Sequence, residues 1–186
     1  MLETPDELRD LQQLLDDSAA TAGAHLRSIL TTDRRLDARE LCDRLHGMRL
    51  IVVATVTADG RPLAGPVDGY FLHGSFWFSS GRNAVRMRHL RSRPSISATH
   101  LPGEALAVTV HGRAELFELA DPAVSALRQA MLDRYLPLQG PSFQKWLDNL
   151  DALGARIHAD RMFTFHLGVS APLSGNERWP AGPAHP

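Results

Sequence analysis

Several things are scarce in this chain of 186 residues, and each scarcity excludes a class of function. Cys42 is the only cysteine, so no intrachain disulfide and no cysteine metal cluster can form. A lone cysteine on a predicted helix reads as a buried, inert thiol rather than a nucleophile. Net charge is only -1, from 20 basic and 21 acidic side chains, which excludes the broad basic surface of a general nucleic-acid binder. No apolar run approaches the length of a membrane span. The start, Met1-Leu2-Glu3-Thr4-Pro5-Asp6-Glu7, is acidic where a secretory signal is basic, so a cytoplasmic protein is expected. Lysine is almost missing as well: Lys145 stands alone against 19 arginines.

What is present is ordinary for one soluble domain with an extension, with 44% hydrophobic and 22% charged residues. Thr4-Pro5-Asp6-Glu7 opens a helix, with Thr as cap, Pro in the first turn and Glu three residues after the cap. Leu8, Leu11, Leu14, Leu15, Leu26, Ile29 and Leu30 continue it at helical spacing, with Gly23 as a break. This amphipathic arm, residues 1–34, must cover either its own domain or a partner. A second helix is expected from Asp37 to His46.

Strands follow. Leu50 to Thr57 is a dense β-branched run, and Ala58-Asp59-Gly60 is a hairpin turn. Arg61 to Leu72 returns, and Gly65, Pro66 and Gly69 predict a bulged or edge strand. Phe76-Trp77-Phe78 suits a half-buried strand. Ser95 to Leu101 and Ala105 to Leu119 are further strands, the latter bent at Gly112. Asp121-Pro122 starts a helix to Tyr135, broken between Pro137 and Pro141, with another helix from Ser142 to Leu153. Arg161 to Leu167 is the last strand, and residues 173–186 form a Pro-rich tail. Six strands with helices at the edges and corners predict a closed antiparallel barrel, mainly β with flanking helices.

The stretch from Phe76 to Pro94 organises the chain. It reads as strand, small polar loop and short helix, a geometry that aims backbone N–H groups over a strand end. Arg82 and Arg86, four apart, are expected on one helix face, reaching a common anion. A solvated arginine face is the plain alternative.

Four segments carry a resemblance to a known family. They are Val53-Ala54-Thr55-Val56-Thr57-Ala58-Asp59-Gly60-Arg61-Pro62, Pro66-Val67, Phe78-Ser79-Ser80-Gly81-Arg82, and Arg86-Met87-Arg88-His89-Leu90-Arg91-Ser92-Arg93-Pro94. In this order and spacing the chain resembles the pyridoxamine-phosphate-oxidase-like split-barrel superfamily, whose members bind FMN or the deazaflavin F420. The resemblance implies a six-stranded antiparallel split β-barrel over residues 35–172. It implies that Pro66, Val67 and Asp68 meet the edge of a flavin ring, and that Ser79 and Ser80 bond the ribityl chain or phosphate. Arg86 would contact the phosphate with Arg82 in reach, and Arg88, Arg91 and Arg93 could serve the longer acidic tail of F420. It also implies a homodimer with the cofactor groove between subunits. Val85 stands where many relatives carry arginine, and Asp68 puts a carboxylate near the ring.

The expected function is therefore an FMN-dependent oxidoreductase for a small organic substrate, without a catalytic side chain or a metal. F420-dependent reduction is the alternative cofactor use. A flavin carrier or haem-binding split barrel is a reading of another class, invited by nine histidines. His100, His111 and His166 on predicted strands are expected as locally satisfied residues rather than ligands. An interaction module built on the amino-terminal arm is a third reading.

Overall fold

The computed structural model describes residues 2–168, so the Pro-rich tail expected at 173–186 lies outside the described residues. Six antiparallel strands close a barrel in the order β1-β2-β3-β6-β5-β4. They are β1 (Met48–Val56), β2 (Pro62–Leu72), β3 (Ser75–Gly81), β4 (Ser95–Gly103), β5 (Leu106–Glu118) and β6 (Ala152–His166). Six helices flank them: α1 (Pro5–Ala20), α2 (Ala24–Ile29), α3 (Ala38–Arg44), α4 (Val85–Ser92), α5 (Ser125–Gln139) and α6 (Ser142–Asp148). The expected mainly-β split barrel with flanking helices is what the chain forms.

The amino-terminal arm covers the barrel of its own chain. The opening signal of the arm works as read, with Thr4 and Glu7 forming a reciprocal capping box at α1, and the structure adds a second box at α3 from Asp37 and Glu40. Asp37→Ala is expected to cost about 1 kcal/mol in chemical denaturation, the usual worth of such a cap. Leu11 and Leu15 of α1 enter the barrel core, and the backbone N–H of Met162 donates to the Ser18 hydroxyl at 2.9 Å. The Leu36 N–H likewise donates to Thr164 Oγ1 at 2.9 Å. Cys42 is buried on α3, and burial pushes its thiol up to about 12. A thiol-disulfide reagent at pH 8 should label it only once the protein is unfolded, because the thiolate is the reacting form.

The second strand departs from expectation in one respect. Its register with β1 runs unbroken from Met48↔Tyr70 to Val56↔Pro62, so Gly65, Pro66 and Gly69 do not bulge it. It is an edge along half its length: β3 pairs only with Gly69 to Leu72, leaving the Pro62–Asp68 half bonded on one side. Proline tolerates that position because the edge asks for no further N–H.

The aromatic strand is buried on both faces, not half-buried. Phe76 and Phe78 are fully buried in the barrel core, each contributing roughly 2 kcal/mol by leaving water. Trp77 points outward with Tyr70 and Leu72, into a second apolar cluster under α5 and α6. Its indole N–H donates to the Leu72 carbonyl at 3.0 Å, and Phe117 stacks on its ring at 5.8 Å.

Three boundaries move between β5 and the carboxyl end of the barrel. Helix α5 runs through Pro137 to Gln139 and stops at Gly140, φ 71°. Pro137 sits in the last turn and leaves the Asp133 carbonyl without the N–H that would have bonded it, and the helix ends within two residues. Helix α6 ends at Asp148, because Ala152 and Leu153 are taken into strand pairing with Gly81 and Ser80. Strand β6 accordingly begins at Ala152 instead of Arg161. Its Ala-Leu-Gly-Ala start has poor strand propensity, but β3 on one side and β5 on the other supply ladder partners. The bend at Gly112 is real: His111 pairs with Arg161 and Gly112 with Ala159, so Asp160 is the extra residue of a bulge.

Candidate functional site

Helices α5 and α6 lie over the outward face of β2 and β3, and between the two layers is a cavity of about 420 Å³. The barrel side consists of Val67, Asp68 and Tyr70 from β2 with Ser79 and Ser80 from the end of β3. Arg86 of α4 joins this wall. The helical side presents Met131, Tyr135, Gln139, Phe143, Trp146 and, past α6, Leu150.

Arg86 reaches the cavity across the free edge of β2. Its guanidinium donates to the Pro66 carbonyl at 3.1 Å, a carbonyl that faces no strand partner on that side. Burial alone lowers its affinity for a proton, and no carboxylate among the described residues pairs with it. A guanidinium carries five N–H donors, so most of its capacity is unspent. Gly65 makes the room: a Cβ there would come within 3.3 Å of the Arg86 guanidinium.

The carboxylate of Asp68 accepts from the Tyr135 hydroxyl, which ties α5 to the barrel. Burial, then the hydrogen bond to Asp68 and its charge, push the Tyr135 phenol up to about 12. Behind them the Tyr70 phenol, 2% exposed, has no hydrogen-bond partner for its oxygen. Burial, then the neighbouring Tyr135 and Asp68, raise it too. On the helical wall, Tyr135, Phe143 and Trp146 form a row of rings with centroids 5.0 and 5.3 Å apart.

Of the residues singled out in the sequence, Val67, Asp68, Ser79, Ser80 and Arg86 line this one cavity, and Pro66 is not in its lining but accepts from Arg86 through its carbonyl. Ser79 also points its hydroxyl at the Met131 sulfur, 3.9 Å away. Arg82 and Arg88 are not brought there. Arg82 precedes α4 rather than sharing a face with Arg86, because the helix starts only at Val85. Its guanidinium pairs with Glu118 and with Asp151, fastening the end of β3 to β5 and β6. Arg88 donates to the Asn83 carbonyl, Arg91 to the Arg82 carbonyl and Arg93 to the Val56 carbonyl.

The Arg82 pairing has a pH signature. The guanidinium holds the Glu118 carboxyl below its ordinary value, so the pairing stabilises the fold above the usual carboxylate range. That contribution is lost as pH falls through the depressed value. The stability gap between wild type and Arg82→Ala should therefore shrink when urea unfolding is repeated below about pH 4.

Tyr135, Phe143 and Trp146 were not legible as site residues. Phe143 and Trp146, three apart, could be read as one helix face. That this face looks onto β2 and β3 depends on how α5 and α6 fold back, which no local pattern states.

The pyridoxamine 5'-phosphate oxidase family profile matches residues 38–161, which takes in five strands and most of the sixth. No curated protein matches the chain. Among solved structures, a conserved hypothetical protein from Mycobacterium tuberculosis aligns with TM-score 0.61 and 23% identity, over 73% of this chain and 88% of that one. The haem storage protein HutZ from Vibrio cholerae aligns with TM-score 0.54 and 19% identity, over 64% and 89%. A structure titled F420 reductase aligns with TM-score 0.50 and 20% identity, over 65% and 94%. At these identities the likeness is one of fold. The family rests on the profile, which spans well over half of the residues: this chain belongs to the pyridoxamine 5'-phosphate oxidase family.

Proposed function

We propose that the protein is an FMN-binding oxidoreductase for a small organic substrate, with F420 as the alternative cofactor. The observation that carries this reading is Arg86, a half-buried cation without a carboxylate among the described residues, set at a cavity walled by rings. Desolvation penalises such a cation until an anion meets it, and a guanidinium grips phosphate with two parallel bonds. The residues present fit a flavin nucleotide. Arg86 would hold the phosphate, Ser79 and Ser80 the phosphate or ribityl hydroxyls, and the backbone of the Pro66–Asp68 segment the ring edge.

When bound, the flavin supplies the hydride transfer; the chain supplies binding, orientation and exclusion of water. Val67, Met131 and Leu150 give that space its apolar surface, and Asp68 is the charged group beside it. No side chain is assigned a catalytic role. The haem reading has less support, since the cavity lining includes no histidine among the described residues. His100 donates to the Leu50 carbonyl, His111 bonds Ser97, and His166 accepts from the Gly168 N–H.

The reading includes a homodimer. Leu50 and Val52, 62% and 48% exposed, form an apolar strip on the outer face of β1. They pair in register with Asp68 and Pro66, so the strip borders the site. A second copy laid there would cover apolar surface and close over the cavity rim. Val52→Arg is expected to convert a dimer into a monomer in light scattering, and an unchanged mass would place any interface elsewhere.

The test of the cofactor is an absorbance spectrum of the purified protein followed by fluorescence titration with FMN and with F420. Micromolar binding of one of them is expected, whereas a colourless protein that takes up neither would remove this reading. Arg82→Ala should leave the FMN dissociation constant within about twofold of wild type, because its guanidinium is spent on two carboxylates.

A further inference from the structure

Two charged groups line the same cavity without neutralising each other. Arg86 feels burial but no carboxylate, and no ion pair joins it to Asp68 among the described residues. Asp68 in turn has no ion pair among the described residues; it has the Tyr135 hydroxyl as a donor, and spare acceptor capacity on its two oxygens. If the phosphate of the cofactor answers Arg86, the anion at Asp68 is left for something else.

The wall next to Asp68 is aromatic. Trp146 is 53% exposed although it belongs to a row of three rings whose other members, Tyr135 and Phe143, pack against each other. An indole held half-open on a concave wall, braced from behind by Phe143 at 5.3 Å, is a surface on which a flat ring can lie. An aromatic face also attracts a cation, and so does a carboxylate. Flat aromatic wall and unpaired carboxylate therefore favour the same ligand.

We propose that the α5–α6 hairpin and Asp68 form the substrate subsite, and that the substrate is a planar aromatic or heteroaromatic compound carrying a cationic or strongly hydrogen-bond-donating group. Its ring lies on Trp146 and its donor group meets Asp68. The proposal rests on the flavin reading only in leaving Arg86 to the cofactor. The hairpin thus sets specificity, and anionic substrates of the same shape are rejected by Asp68.

The test uses the full chain and two probes of matched shape, benzamidine and benzoate, each titrated by calorimetry. In the Arg86→Ala protein, where that cation no longer answers a carboxylate, benzamidine is expected to bind roughly tenfold tighter than benzoate, from the sign of the charge facing Asp68. Asp68→Asn should abolish that preference, while Trp146→Ala should weaken benzamidine by about fivefold or more through the lost ring face. Trp146 is exposed enough for its removal to leave the fold intact. Equal affinity for the two probes in the Arg86→Ala protein, or benzamidine binding indifferent to Trp146→Ala, would overturn the proposal. So would displacement of benzamidine by FMN, which would give the platform to the flavin ring itself. Arg86→Ala should weaken FMN and leave benzamidine unchanged. Benzamidine binding with the expected variant pattern, in a protein that takes up no FMN, would sink the flavin reading and keep the subsite.

Discussion

Arg86→Ala is expected to raise the FMN dissociation constant about 30-fold or more, a loss of about 2 kcal/mol, the worth of a charge-assisted contact. The side chain is well placed to show it cleanly. It is half-buried, its one hydrogen bond goes to the Pro66 carbonyl, and no ion pair of the fold depends on it among the described residues. The variant should therefore keep its urea midpoint while flavin fluorescence reports weaker binding. Arg86→Lys should recover only part of the loss, because an ammonium cannot grip two phosphate oxygens in the fork geometry of a guanidinium. A dissociation constant that Arg86→Ala leaves unchanged would take the phosphate away from this residue. Gly65→Ala probes the same point without touching charge, since the added Cβ would press on the guanidinium at 3.3 Å.

Gly112→Ala is the substitution with the largest expected effect on stability. A Cβ at Gly112 would stand 2.0 Å from the His158 carbonyl oxygen and 2.9 Å from its carbon. Both are backbone atoms of β6, so relief requires the bulge around Asp160 to move rather than a side chain to turn. The bulge bends the two longest strands of the barrel, and β6 beyond it carries Met162 and Thr164, which anchor α1 and the segment before α3. A loss of about 3 kcal/mol in urea unfolding is expected, at the upper end for overpacking. Gly103→Ala on β4 is the control, because a Cβ there meets nothing within 4 Å; it should stay within about 0.5 kcal/mol of wild type. Similar midpoints for the two would mean that the bulge relaxes freely.

The two carboxyl-terminal strands show why some of this fold was legible and some was not. Phe163 and Phe165 announce a strand, but Ala152 to Ala155 announce nothing, and they became strand because β3 and β5 leave ladder positions for them to fill. The same holds for Phe76 to Phe78. Their type predicted a strand, but alternation alone could not show that a helical hairpin covers the outward ring.

Local chemistry, then, determined by itself what depends on neighbours in sequence. The capping boxes at Thr4 and Asp37, the turn at Gly60, the strand character of β1 to β5 and the order of segments that marks the family all act over a few residues. Only the tertiary structure decided what depends on groups far apart in the chain. It gave Arg82 to Glu118 and Asp151, left Arg86 without a carboxylate, and set Tyr135 against Asp68 across 67 residues. A charge in the sequence looks the same whether or not its partner exists. Burial and distance decide whether it is a strut of the fold or an open site for a ligand.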